Sequence, residues 1–410
     1  MDKISAGDTA WVLLSASLVM LMTPALGFFY GGLVRRKNVL STIMHSFFLL
    51  ALVSVQWVLV GYSLAFGPDW HGLIGNLDWV GLNGVGFAPN PHYAPTIPHE
   101  AFMIYQAMFA VITPALISGA FAERKRFKAF VLFSLLWATL VYDPVAHWVW
   151  GYGGFLHTLG VVDFAGGIVV HVSSGVSALV AALMLGRRIG FGREPMDPHD
   201  TTMTVLGAGL LWFGWFGFNA GSALGANAVA VNAFVVTNTA AAMGALTWMT
   251  VSWAHHRQPS VLGVAIGAVA GLATITPAAG YVTPTAAILI GMVAAVVCYW
   301  AVQLLKGRLG VDDALDVFGV HGVGGAIGAI ATGIFATVSV NPGGVNGLLF
   351  GNPHQLLIQV IAVSVTALYA ATMSWLILKF IDIIVGLRVD EREEVLGLDT
   401  TQHGEAAYTV

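Results

Sequence analysis

The sequence predicts an all-α polytopic membrane protein with eleven membrane-spanning helices, its N-terminus outside and its C-terminus inside. Two observations predict this fold class. The composition is 57% hydrophobic and only 9% charged over 410 residues, which is typical of chains that cross a bilayer many times. The 17 Lys and Arg residues fall in a few tight clusters, separated by long apolar stretches without any basic residue. The predicted location is therefore the inner or plasma membrane of the cell.

The basic clusters indicate the number of membrane crossings, because basic residues near the ends of spans stay in the cytoplasm. A gap between two clusters must leave the cytoplasm and return, and each gap has room for two spans of about 20 residues. The stretch from Lys3 to Arg35 fits only one span. One span and five pairs make eleven. The clusters lie at 35–37, 124–128, 187–193, 257, 306–308 and 379–392.

The eleven spans are placed by the apolar runs between these clusters and by the loop residues that interrupt them. The last run is longer than a perpendicular span needs, which predicts a tilted helix on the outside of the bundle. The spans are predicted at about 9–34, 39–66, 99–122, 127–146, 164–186, 201–220, 228–254, 260–277, 283–305, 314–336 and 353–386.

The first ten spans form two groups of five with opposite orientation, since an odd number of crossings separates their starts. This arrangement predicts an inverted repeat. A Gly-rich span carrying one His closes each group, with His171 in the fifth span and His321 in the tenth. We predict a membrane domain at 1–386, with repeat 1 at about 9–186, repeat 2 at about 201–336 and the eleventh helix at 353–386, followed by a cytoplasmic tail at 387–410.

The composition also excludes several function classes. The net charge of -4 is small and confined to loops and the tail, so no nucleic-acid partner is expected. The lone Cys298 excludes a disulfide framework within the chain. The start of the sequence, MDKISAGDTAW, lacks the pattern of a cleavable signal peptide. No nucleotide-binding loop, catalytic triad or redox motif is present, so we expect neither an enzyme nor a cofactor.

His171 and His321 are the candidates for chemistry, because an ionisable side chain deep within a span is costly and is by default a functional hypothesis. If the halves pack about a pseudo-two-fold axis, the two imidazoles can meet near the membrane midplane and pass a proton by exchanging tautomers. The alternative is two separately satisfied histidines. Metal binding needs three or four ligands, and neither helix supplies a Cys or a second nearby His, so no metal is expected.

Four runs of the sequence resemble the signature segments of the ammonium transporter family, in the same order along the chain. That family consists of trimers, each subunit having eleven spans and its own pore, and the resemblance therefore implies a homotrimer. The runs are DFAGGIVVHVSSG at 163–175, WFGWFGFNAGS at 212–222, DVFGVHGV at 316–323 and GLRV at 386–389.

The resemblance implies roles for particular residues. Phe109, Trp150 and Ser222 match the family's outer site, where aromatic faces hold ammonium by cation–π attraction and the hydroxyl accepts a hydrogen bond. Tyr105 lies beside them, where the family pattern usually has Phe. Phe109 and Phe218 match the stacked pair that closes the outer mouth, and His171 and His321 match the family's histidine pair. Without the resemblance, Trp150 and Phe109 read equally well as an aromatic belt at the membrane interface.

Four further residues are expected to support the pore. Asp163 opens the fifth span, where a carboxylate caps free backbone N–H groups, and we favour this role over ligand contact. Trp212 and Trp215 are expected to line or support the lower pore. Asp316, with Asp312 and Asp313, precedes the tenth span on the inside, where we expect capping and loop order, with a contribution to gating as the alternative.

The predicted function is transport of ammonium, which binds outside, loses its proton and crosses the bilayer as ammonia. Ammonium and potassium are similar in size, but only ammonium can become neutral by releasing a proton. Whether that proton follows through the histidines is implied by the resemblance alone. The alternative function is an ammonium sensor that signals through a cytoplasmic partner. By composition the tail 387–410 is a solvated end, whereas the resemblance implies docking of a PII-type regulatory protein there.

Overall fold

The computed structural model describes residues 4–408 of the chain, and Lys3 lies outside them. Within these residues, eleven apolar helical segments, α1 to α11, form the molecule. Ten are long and apolar enough to cross a membrane, and α8 is shorter. The segments are α1 Ala6–Leu33, α2 Arg36–Phe66, α3 His99–Phe121, α4 Phe127–Leu159, α5 Gly167–Leu185, α6 Thr201–Ala223, α7 Ala228–His256, α8 Val261–Ile275, α9 Pro284–Arg308, α10 Phe318–Phe335 and α11 Pro353–Val385.

Each segment corresponds to one predicted span. The largest differences are at the end of α4 and at the start of α10, which begins at Phe318 and not at 314; α8 also ends earlier than predicted. The sequence predicts that the fourth span ends near 146, but α4 continues to Leu159, with a break at 151–154. The eighth helix ends at Ile275, and the chain continues through buried turns around Pro277. Proline cannot donate to the helical ladder, which explains why α8 stops short of the predicted 277.

The two halves of the chain use the same local structure at the positions where a histidine was noted. The π-helix Gly167–Val172 begins α5 and the π-helix Phe318–Gly322 begins α10, and each continues into an α-helix of 13 residues. Each π-helix packs against the α-helical part of the other segment. This reciprocal packing is the arrangement that an inverted repeat predicts.

Small residues let the helical segments approach closely. In lipid, burial of apolar surface gives no advantage, so close packing drives the association of helices. The pairing of α1 with α6, the first segments of the two halves, shows this directly. A Cβ atom on Gly214 of α6 would lie 2.7 Å from the carbonyl oxygen of Leu18, and one on Gly217 would lie 2.8 Å from that of Ser15. Both glycines are therefore required for this contact.

Outside the bundle, the longest described loop contains a short antiparallel hairpin formed by β1 Asp69–Trp70 and β2 Ile74–Gly75. His147 of α4 holds it, with Nε2 lying 2.9 Å from an oxygen of Asp69 and Nδ1 lying 3.0 Å from the carbonyl oxygen of Ala65. The loop is thus fixed to the segment that carries Trp150.

The tail is docked on its own chain, which differs from the solvated end that its composition suggests. It forms α12 Glu391–Leu396 and α13 Leu398–His403. The buried carboxylate of Asp399 accepts hydrogen bonds of 3.0 and 2.8 Å from the N–H groups of Leu40 and Ser41 at the start of α2. A carboxylate satisfies the free N–H groups of a helix start, and this contact spans residues too far apart in sequence for composition to show it.

Candidate functional site

A wide outer vestibule lies on the side of the bundle predicted to be outside, with a volume of about 630 Å³. It brings together three residues that the sequence places in the outer site: Phe109 of α3, Trp150 of α4 and Ser222 of α6 all line it. The Phe109 and Trp150 rings lie 6.0 Å apart in an edge-to-face arrangement. Tyr105 is fully buried beneath this surface and is not part of the wall.

Asp163 is the acidic residue of this vestibule, and its carboxylate is fully engaged by the start of α5. One oxygen accepts from the N–H groups of Gly166 and Gly167 at 2.9 and 2.7 Å, and the other accepts from Ile168 and Val169 at 2.7 and 3.1 Å. The backbone oxygen of Asp163 also accepts from the indole of Trp150 at 2.8 Å. Asp163 thereby caps α5 and fixes Trp150.

Two phenyl rings in close, tilted contact lie at the floor of the outer vestibule. The centroids of Phe109 and Phe218 lie 4.3 Å apart at an interplanar angle of 39°. Both side chains are 1% exposed, and they come from different halves of the chain. The pair lies between the outer vestibule, which Phe109 lines, and the space below it, which Phe218 lines.

Below the phenyl pair lies a narrow conduit with space of only about 10 Å³, roughly enough for one water-sized molecule. Apart from the two histidines and one indole, its wall consists of apolar side chains. The lining residues are Met22, Leu26, Phe29, Ile112, Leu116, Val170, His171, Leu211, Trp215, Phe218, Val269 and His321.

The two histidines meet inside this conduit. Their Nδ1 atoms lie 3.2 Å apart, so one nitrogen donates a hydrogen bond and the other accepts. The ring centroids are 5.2 Å apart and the planes differ by 16°. The ring of Trp215 stacks on that of His171, with centroids 5.6 Å apart. The indole N–H of Trp215 donates to the hydroxyl of Thr276 at 2.9 Å. The Nε2 atom of His171 has no hydrogen-bond partner within residues 4–408.

Glycines one turn along each helix allow this approach. A Cβ on Gly325, which follows His321 by one turn, would lie 2.7 Å from both the Cβ of His171 and the carbonyl oxygen of Gly167. In the other half, a Cβ on Gly175 would collide with the backbone of Gly322. The spacing of the imidazoles thus depends on backbone-to-backbone contact between α5 and α10.

An inner vestibule of about 210 Å³ opens below His321. Its wall includes Asp316, whose carboxylate lies 2.6 Å from the ammonium of Lys306. Asp313 accepts from the N–H of Phe318 at 2.8 Å and so caps the start of α10. Burial, followed by the charge of Asp316, raises the pKa of Asp313 from its ordinary value of 3.8 to about 6. Trp212 does not line the conduit, although Trp215 does.

A buried ion network joins the inner loops, and sequence reasoning missed it because its members come from four separate loops. Arg188 lies 3.0 Å from a carboxylate oxygen of Glu123 and 2.8 Å from one of Asp312. Arg35 lies 2.9 Å from Glu123. Burial raises the pKa of Glu123, but the charges of Arg188 and Arg35 and the hydrogen bonds of Arg35 outweigh it, so the pKa lies below its ordinary value.

Within the part of the chain that the structure describes, no group of three or more His, Cys, Asp or Glu side chains is placed to hold a metal ion. The polar groups that line the conduit are two imidazoles and one indole, which can form hydrogen bonds. A narrow apolar cavity that lies between two vestibules in a bundle of membrane-spanning helices is typical of multi-pass membrane proteins of the transporter or channel class.

Comparisons with known proteins identify the family. The model of the Ammonium Transporter Family matches residues 10–408, and the chain belongs to this family. It is 54% identical over 402 residues to the ammonium transporter of Bacillus subtilis, covering 98% of each chain. It is 49% identical over 406 residues to ammonium transporter Amt1 of Archaeoglobus fulgidus, covering 99% of this chain and 100% of that one.

Solved structures show the same fold. The crystal structure of Candida albicans Mep2 has a TM-score of 0.91 and 39% identity, covering 99% of this chain and 91% of that one. A structure described as a sensor Amt protein has a TM-score of 0.89 and 29% identity, covering 97% of this chain and 98% of that one. The family consists of transporters and not of enzymes.

Proposed function

We propose that this protein transports ammonium by binding it in the outer vestibule, removing its proton and conducting ammonia through the conduit. The observation that carries the proposal is the pair of imidazoles, with Nδ1 atoms 3.2 Å apart, inside an otherwise apolar conduit between two vestibules. The names of the related proteins, ammonium transporters from Bacillus subtilis and Archaeoglobus fulgidus, support ammonium as the substrate.

The outer site suits a small cation with N–H groups. Trp150 and Phe109 present aromatic surface to the vestibule, and a cation held over an aromatic face gains about 2 kcal/mol when it is desolvated. Ser222 adds an oxygen that can accept one N–H from the ion. A potassium ion can use the same aromatic faces, so this site concentrates cations but does not by itself reject potassium.

The conduit provides the selection. A charged side chain at the membrane centre costs at least about 3 kcal/mol, and an ion stripped of water in this narrow apolar space faces a similar or larger penalty. Ammonia is neutral and small enough to pass. Potassium has no proton to release, and therefore it cannot avoid the penalty.

The histidine pair can move the proton separately. Because Nδ1 faces Nδ1, one ring carries its hydrogen there and the other ring carries its hydrogen on Nε2. A proton taken up on the free Nε2 of one ring lets that ring pass its Nδ1 hydrogen to its neighbour, which releases a proton from its own Nε2. The net result is one proton moved, both rings neutral, and the tautomers exchanged.

Current evoked by ammonium pulses on proteoliposomes, with potassium pulses as the control, tests this function. We expect current with ammonium and none with potassium. His171→Ala and His321→Ala should each abolish the current, whereas His354→Ala, at an exposed position near the start of α11, should leave it unchanged. Full current in both conduit variants would rule out the relay.

The second candidate function is ammonium sensing, which the likeness to a structure described as a sensor Amt protein favours. A sensor would bind ammonium without moving ammonia across the membrane, so the pH change inside the proteoliposomes, measured together with the current, separates the two functions. We also propose, from the resemblance alone, that the chain assembles as a homotrimer and that its cytoplasmic face binds a PII-type regulatory protein. The docked tail supplies part of that face, including the exposed side chain of Glu391.

A further inference from the structure

The hydroxyl of Tyr105 lies in a fixed polar position behind the outer site. Its oxygen is 2.9 Å from the carbonyl oxygens of both Gly217 and Phe218 and 3.1 Å from the Oγ of Ser222. The side chain is fully buried. A Cβ on Gly221 would approach this hydroxyl to 2.7 Å, so the end of α6 leaves room for it.

Counting hydrogens shows what this arrangement does to Ser222. Carbonyl oxygens only accept, while each hydroxyl donates one hydrogen. The hydrogen of Ser222 has two acceptors within reach, the carbonyl of Phe218 at 2.9 Å and the oxygen of Tyr105 at 3.1 Å. Both acceptors belong to the protein and lie away from the vestibule. Ser222 is therefore left with a lone pair toward the vestibule and presents itself there as an acceptor.

The same hydroxyl joins the two helices that form the outer site. Tyr105 stands one turn before Phe109 on α3, with the rings 5.0 Å apart, and its hydrogen-bond partners all lie on α6. The residues of α6 that it contacts include Phe218 and Ser222, which supply one gate ring and the acceptor. One oxygen atom thus fixes the end of α6 against α3.

We propose that Tyr105 is a positioning residue that acts through Ser222: its hydroxyl holds the serine as a hydrogen-bond acceptor toward a cation in the vestibule, without contacting the cation itself. This inference rests on the proposed function, because it takes ammonium as the ligand. It assigns the hydroxyl a role distinct from that of the ring, which packs against Phe109.

A double-mutant cycle tests it, with the dissociation constant for ammonium measured by calorimetry on the purified full-length protein. Tyr105→Phe removes one oxygen atom and keeps the ring. A typical hydrogen bond contributes about 1 kcal/mol, so we expect binding to weaken about fivefold. In a Ser222→Ala background the same change should weaken binding by less than about twofold, since interacting residues show non-additive effects.

Tyr369→Phe is the matched control. The Tyr369 hydroxyl also donates to a backbone carbonyl across a helix contact, that of Leu140 at 2.7 Å, but Tyr369 does not line the outer vestibule. The Tyr369→Phe change should leave the dissociation constant for ammonium unchanged. Thermal unfolding of each variant shows whether it is folded.

The outcomes separate the inference from the proposed function. If Tyr105→Phe weakens ammonium binding equally in both backgrounds, Tyr105 acts independently of Ser222. If it does not weaken binding in the wild-type background, the Tyr105 hydroxyl has no effect. Either result overturns the inference and leaves the proposed binding of ammonium intact. If the wild-type protein does not bind ammonium, the proposed function and the inference both fall.

Discussion

Replacing Gly325 by Ala should separate the two histidines without touching either imidazole. The added Cβ would lie 2.7 Å from the Cβ of His171 and from the carbonyl oxygen of Gly167. Non-bonded carbon atoms rest about 3.5 to 4.0 Å apart, and neither neighbour can rotate out of the way, since one is backbone and the other is bonded directly to it. The helices α5 and α10 must therefore move apart by roughly 0.8 Å or more.

This displacement is large compared with the tolerance of the hydrogen bond. The Nδ1 atoms of His171 and His321 are 3.2 Å apart, and an added separation of roughly 0.8 Å places them near 4 Å, beyond hydrogen-bonding distance. Overpacking of this kind costs about 1 to 3 kcal/mol, so the variant should still fold. Proton transfer needs donor and acceptor within hydrogen-bond reach, and we therefore expect the ammonium-evoked current to fall at least tenfold.

Proteoliposome current is the assay, and Gly209→Ala is the matched control. Gly209 lies in α6, and a Cβ there has no atom within 4 Å, so the same chemical change should leave the current intact. Thermal unfolding of both variants checks the fold. Wild-type current in a folded Gly325→Ala protein would refute the reasoning, because it would show that transport does not depend on the spacing of the two rings.

Two further predictions concern the inner side. Asp313→Asn should flatten the dependence of the unfolding midpoint on pH. The pKa of Asp313 is about 6 in the folded protein, above its ordinary value of 3.8, so the stability that this group contributes falls by at most about 3 kcal/mol as pH rises from 3.8 to about 6. An unchanged pH profile would contradict this. Arg188→Met should cost about 3 to 5 kcal/mol, because it leaves Glu123 and Asp312 buried without their shared cation, whereas Arg193→Met at an exposed position should shift the midpoint little.

The number of helices and the location of the histidines could be predicted from the sequence because neither depends on which segments pack together. Basic residues avoid crossing the membrane wherever they occur, and an imidazole inside an apolar run is visible without knowing its neighbours. The distance between His171 and His321 could not be predicted in this way. It depends on two π-helices and on Gly325, whose closeness to His171 appears only after α5 and α10 pack.

The features that sequence reasoning missed depend on contacts between distant segments. Asp399 caps α2 although nearly the whole chain separates them, and Arg188 reaches Glu123 and Asp312 from a third loop. Composition records each of these residues only as a charge in a loop. The hydroxyl of Tyr105 is a similar case, because its partners lie on another helix and its type differs from the family pattern by a single oxygen atom.

The distribution of carboxylates along the path fits the proposal that the protein binds a cation and then releases its proton. A free carboxylate beside ammonium would favour the charged form and oppose conversion to ammonia. Among the residues that line the outer vestibule Asp163 is the one acid, and four backbone N–H groups already engage its two oxygens. At the inner end Asp316 is paired with Lys306. In the proposed mechanism, attraction then comes from aromatic faces and one hydroxyl, which would hold the cation weakly enough for its proton to leave.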